Sequence, residues 1–220
     1  MARKSAAQLV PPIEKSLLRK LQAPDNWHLD RAAENLNLFN KLLATIPRDY
    51  SWNFVTVEAF RDLANRIVTT GRASDLYCHY WRDMIGQIEA FSIMSAWRLA
   101  EITRSAVWAT RRDEVLCAAV MSRAALETAA SYAWFQTEVR PAIEKIGRGD
   151  TPTTVPDLEN KVLVVFASRQ EDQEEFYSLT NILTIIGHIT KKIPGQEVLA
   201  ETYEALCEVS HPNWMGRQFT

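Results

Sequence analysis

Residues 114–139 read EVLCAAVMSRAALETAASYAWFQTEV. Between Val115 and Thr137 the only charged side chains are Arg123 and Glu127; the others are apolar, small or uncharged polar. A helix that is apolar around its whole circumference is usually buried on all sides. The stretch therefore predicts a central helix, Glu114–Val139, around which other helices pack. Asp113 is placed to cap it, and Pro141 to end or kink it, because proline lacks the N–H and crowds the preceding turn. Ala118, Ser122, Ala125, Ala129 and Ala133 put small side chains on one stripe, where a neighbouring helix can approach closely.

Upstream, nothing breaks a helix between Asp75 and Thr110, and Ser74 or Asp75 can cap it. Met84, Ile88, Phe91, Ser95 or Met94, Arg98 and Ile102 trace its mostly apolar face. Two long helices joined by almost no loop most simply form an antiparallel hairpin. A single continuous rod is the alternative, since Asp113 after Arg111 and Arg112 does not forbid one.

Earlier still, residues 1–12 read as a loose lead-in, and a short helix is expected at Ile13–Leu21. Asp30 precedes a helix marked by Ala33, Leu36, Phe39 and Leu43, with Pro47 ending it and residues 49–53 as loop. The next helix shows Val57, Phe60, Leu63, Ala64 and Ile67 on one face, with Gly71 just past its end. Residues 147–155 are the clearest internal loop. Beyond them helices are expected at Pro156–Arg169, Glu175–Thr190 and Gln196–Ser210. The β-branched run Val162–Phe166 would also suit a strand, but no partner strand is visible. The fold class is all-α, a helical bundle built around a long antiparallel hairpin, in one domain spanning residues 1–220.

Composition narrows the function. Seven Gly and nine Pro are few for a turn-rich β architecture, and a net charge of −2 provides no general attraction to nucleic acid or anionic lipid. No run approaches the roughly 20 apolar residues of a membrane span, and no apolar signal core follows Met1. Cys78, Cys117 and Cys207 lie far apart, as expected for reduced, buried thiols in a cytoplasm. Glycine-rich phosphate loops and metal-binding histidine spacings are missing, and His28, His79, His188 and His211 are dispersed. The sequence thus implies no cofactor and no metal, and the expected partner is a second copy or another protein.

Two polar groupings remain. Arg123 and Glu127, at i and i+4 among Leu116, Val120 and Trp134, can bridge away from water. Buried in that way, the pair either joins a polar network with Tyr132 or the C-terminal segment, or lines a pocket in which Arg123 binds an anion oriented by Glu127. The second grouping is residues 203–216, YEALCEVSHPNWMG. Tyr203, Leu206 and Cys207 share a helix face, Pro212 stops the helix, and His211 falls at its C-terminus, where the helix dipole favours the protonated imidazole. Ser210 and His211 are adjacent and point apart, so they form no catalytic pair.

Arg123-x-x-x-Glu127 on an alanine-rich helix, followed by Tyr203-x-x-Leu206-Cys207-Glu208-x-x-His211-Pro212-Asn213, resembles a set of bacterial all-helical proteins. These look like distant relatives of the HEPN bundles found in toxin–antitoxin and phage-defence systems. The resemblance covers about residues 85–216 and implies a helical bundle that dimerises. In catalytic HEPN proteins an Arg, a polar neighbour and a following His form a metal-independent ribonuclease site. Here no Arg stands at that distance before His211; Arg72 lies six residues clear of His79, with Ala73 in place of the polar neighbour. The leading expectation is a non-catalytic interaction or sensing module. The alternative is a ribonuclease or nucleotide-acting enzyme using Arg123, Glu127, Tyr203 and His211.

Overall fold

The computed structural model describes residues 10–11, 27–51, 56–71, 73–149, 154–166, 182–193, 195–196 and 198–210. Among them the helices are α1 (Trp27–Leu43), α2 (Val57–Thr70), α3 (Ala73–Arg111), α4 (Val115–Gly147), α5 (Thr154–Phe166), α6 (Ile182–Lys192) and α7 (Val198–Ser210), and no strand occurs. The chain is an all-α bundle. Val162–Phe166 is helical, in keeping with the absence of any strand to pair with. The short helix expected at Ile13–Leu21, the first residues of the one expected from Glu175, and His211 lie outside the described residues.

The hairpin is real, and its turn is tighter than a capped loop. Asp113 has φ 63°, in the left-handed region. The Glu114 N–H donates to the Ala109 carbonyl at 3.0 Å, and the Asp113 N–H to the Thr110 carbonyl at 3.3 Å. This is the paired bonding of a Schellman terminus, which uses up carbonyls orphaned at the end of α3 and reverses the chain. Asp113 is therefore the reversal residue of α3, not the N-cap of α4. The Glu114 carbonyl instead opens α4 by accepting from Ala118 N–H at 2.9 Å. Phe91 and Phe135, equally far on either side of Asp113, stack with ring centroids 4.6 Å apart, which fixes the pairing of α3 with α4 as antiparallel. A β-branched residue is a genuine outlier at positive φ. Asp113→Val is accordingly expected to cost about 1–2 kcal/mol in urea melts, and Asp113→Gly to be tolerated. Equal losses in both variants would show that the turn does not depend on this backbone conformation.

Several helix boundaries differ from the sequence reading. Asp30 lies inside the first turn of α1, which begins at Trp27. Ser74 and Asp75 likewise fall inside α3. Helix α4 passes through Pro141 to Gly147. Val139 and Ala142, 2% and 3% exposed, are buried on either side of that proline, and their packing offsets the lost hydrogen bond. At α2 the C-terminal end is as read, with Gly71, φ 68°, donating to the Ile67 carbonyl; at the other end Thr56 Oγ1 caps the helix by accepting from Ala59 N–H at 3.2 Å.

By internal contacts the chain divides into two compact units, each taking part of both long helices. The first combines residues 1–48, 95–134 and 181–220. One of its cores joins Val10, Leu36 and Leu43 to Ala100, with Phe39, Trp97 and Val107 around them. The Asn40 side chain hydrogen-bonds both the N–H and the carbonyl of Val10, holding that residue on α1. The other core sets Ala130 of α4 against Ile185, Ile186 and Ile189 of α6 and Tyr203 of α7. The isoleucines recur at three- and four-residue spacing, so α6 turns one continuous apolar stripe inward.

The second unit combines residues 49–94 and 135–180. Leu63, Met84, Ala90, Phe135, Val139, Ala142, Leu158 and Val162 are buried apolar residues of this unit. Lys161 bridges Glu138 at 3.2 Å and Asp157 at 2.8 Å. Burial opposes the charge on Lys161, but these two carboxylates outweigh it and raise its pKa. Of the apolar face read on α2, Leu63 is buried while Val57 and Phe60 are exposed. On α3, Ser95 and not Met94 faces inward.

Candidate functional site

Arg123 and Glu127 occupy successive turns of α4, and Tyr203 and Ser210 come from α7; all four lie in the unit that includes residues 95–134 and 181–220. Arg123 Nε donates to Glu127 Oε1 at 2.9 Å. Arg123 Nη2 donates to the Tyr203 hydroxyl at 3.3 Å, and that hydroxyl donates to the same Glu127 Oε1 at 3.0 Å. The three groups close a ring of hydrogen bonds. Arg123 Nη1 reaches Ser210 Oγ at 3.4 Å, and the serine hydroxyl donates to the Cys207 carbonyl at 3.3 Å. The guanidinium carbon also stands 5.5 Å from the Tyr203 ring centroid, within cation–π range.

The local sequence explains the convergence. The i, i+4 spacing puts Arg123 and Glu127 on one face of α4. Residues 203, 207 and 210, spaced by four and three, share one face of α7. Ala130 packs beside Tyr203, and this small residue lets α7 come close to α4. Three of the four candidates read from sequence, Arg123, Glu127 and Tyr203, are thus brought together. The fourth, His211, follows Ser210 in sequence and is outside the described residues. Ser210 was dismissed as half of a catalytic pair; its place on the Tyr203 face is the signal that marks it as a partner of Arg123.

The electrostatics are those of a satisfied network. The hydrogen bond to Glu127 raises the Arg123 pKa against a smaller opposing effect of burial. Burial pushes the Tyr203 phenol up, and its hydrogen bond to Glu127 pushes the same way. The ion pair is not withdrawn from water as its apolar flanks suggested: the side chains of Arg123 and Glu127 remain 28% and 35% exposed. Leu116, Val120 and Trp134 are neighbours in the helical pattern, but Val120 is itself exposed, and so are Val115 and Cys117. The first turns of α4 therefore face water on one side. Nor are the cysteines uniformly buried, because Cys78 and Cys117 are exposed and Cys207 is partly so.

Tyr50, hydrogen-bonded to Glu89, and Tyr80, half-buried and hydrogen-bonded to Glu159, are shifted upward like Tyr203. For each of these tyrosines the folded pKa exceeds the unfolded one. The stability they confer is complete below the ordinary tyrosine pKa of about 10 and is lost as pH rises through the folded values. Absorbance titration of tyrosinate is expected to show part of the phenol population ionising later in native than in urea-unfolded protein. Superimposable native and unfolded curves would refute the assignment.

Among the described residues no group of three or more His, Cys, Asp and Glu side chains could hold a metal ion, and no helix is long and apolar enough to cross a membrane. Comparison with protein-family models, with curated proteins and with solved structures finds no match.

Proposed function

We propose that the chain is a non-catalytic helical-bundle module for interaction or sensing, self-associating in a bacterial cytoplasm and of the kind linked to defence or toxin–antitoxin systems. The observation that carries this reading is the double use of Glu127 Oε1, which accepts from both Arg123 and Tyr203. A carboxylate engaged in this way holds α7 against α4. The upward shift of Tyr203 points the same way, since acid–base or nucleophilic work near neutrality calls for a lowered phenol pKa.

One contact favours the second reading, a HEPN-like metal-independent ribonuclease or nucleotide-acting enzyme. Ser210, the residue before His211, accepts a hydrogen bond from Arg123. In that mechanism Arg123 holds a phosphate, Glu127 orients it, and Tyr203 and His211 complete the cleft.

Purified protein incubated with single-stranded and structured RNA separates the two. The module reading expects intact RNA and a homodimer by native mass spectrometry. Cleavage that disappears in folded Arg123→Ala or His211→Ala protein overturns it in favour of the enzyme.

A further inference from the structure

The turn between α3 and α4 bounds a depression of about 420 Å³, within the usual ~300–1,000 Å³ span of small-molecule sites. Trp108 and Ala109 from α3 and Met121 from α4 give it an apolar part, Ser105 and Cys117 add polar lining, and Arg112 and Glu114 line it as well. The Schellman reversal at Asp113 sets these two opposite charges on either side of one residue with a fixed backbone. Neither Arg112 nor Glu114 forms an ion pair among the described residues. Trp108 is 46% exposed, so part of its ring is open to a ligand. The Arg111 and Arg112 guanidiniums lie 5.1 and 6.0 Å from the Trp108 ring centroid, and of the two Arg112 lines the depression. Stacking on an indole limits the motion of a guanidinium while its N–H edges stay available to a carboxylate.

We propose that this depression is a binding site for a free α-amino acid with an apolar side chain. Arg112 takes the carboxylate in a forked pair of hydrogen bonds, Glu114 takes the ammonium, and the side chain lies on Trp108, Ala109 and Met121. Complementarity selects the zwitterion: a polyanion such as a nucleotide would meet Glu114 with like charge, and a plain cation would meet Arg112. The site is separate from the Arg123 network and does not depend on the function proposed for it.

The test uses the full chain and L-phenylalanine as probe, followed by calorimetry or ligand-observed NMR. Binding is expected at ~1 mM, the level that ordinary ligand efficiency allows for a molecule of this size. Arg112→Gln and Glu114→Gln are each expected to weaken it about tenfold, because each removes one charge-assisted interaction. N-acetyl-L-phenylalanine, without the ammonium, and L-phenylalaninamide, without the carboxylate, should lose a similar factor on the unaltered protein. The two analogues keep the test decisive should either variant fail to fold. No binding of L-phenylalanine, affinity unchanged in both variants, or blocked analogues that bind equally well would each overturn the proposal.

Discussion

Truncation of Phe135 to alanine is expected to lower the unfolding free energy by about 3–5 kcal/mol, the usual cost of removing a buried aromatic ring. Phe135 is 1% exposed and stacks on Phe91 with planes inclined at 52°. The substitution removes the apolar burial, leaves a cavity between α3 and α4, and forfeits the pair geometry, which adds about 0.5–1.5 kcal/mol by itself. Since small proteins are typically stable by only about 5–15 kcal/mol, the variant should unfold at far lower urea. Urea denaturation followed by far-UV circular dichroism measures the difference. Phe135→Leu should retain most of the stability, because leucine fills much of the same space. A loss below about 1 kcal/mol in the alanine variant would mean that the site collapses around the missing ring or was never closed to water.

Tyr203 carries the second large effect, and there two contributions can be separated. Tyr203→Ala removes a side chain that is 4% exposed from the core of Ala130, Ile185, Ile186 and Ile189, and is expected to cost about 3–5 kcal/mol. Tyr203→Phe keeps the ring and removes only the hydroxyl that links Arg123 to Glu127. It is expected to cost about 1 kcal/mol, because the ion pair stays half-open to water and solvent can replace the lost partner. If the phenylalanine variant proved as unstable as the alanine variant, the polar ring and not the packing would be what holds α7 on α4. The same variant is informative about function. A module that works by binding tolerates the missing hydroxyl at the level of folding and association, whereas an enzyme that needs the phenol loses turnover.

Much of the architecture was legible because it follows from local rules. The absence of helix breakers between Asp75 and Thr110 and the apolar run after Asp113 announced two long helices. Gly71 marked the end of α2 by its freedom at positive φ. Asp113 was legible as a boundary but not in its role, since a short polar side chain suits an N-cap and a left-handed reversal alike. Pro141 misled for a related reason. The rule that proline breaks a helix weighs one lost hydrogen bond, and the burial of Val139 and Ala142 beside it is set by packing from outside the helix.

For the site, the helical period alone puts Arg123 beside Glu127, and Tyr203 and Cys207 on one face of α7. What the period could not supply was the meeting of these two faces, because residues 80 positions apart are joined only by the fold. Water exposure was also beyond its reach. Apolar neighbours in sequence identify an apolar face, yet Val57, Phe60 and Val120 are exposed and Leu63 is buried, because burial depends on which faces receive a partner. The sequence by itself therefore determined the two long helices and the candidate polar residues, which rest on interactions within a few residues, and it left the hairpin and a continuous rod as alternatives. Only the tertiary structure decided that Glu127 is shared between Arg123 and Tyr203, that the ion pair stays in reach of water, and that Arg112 and Glu114 border one depression. Those outcomes depend on packing between helices, which no local pattern encodes.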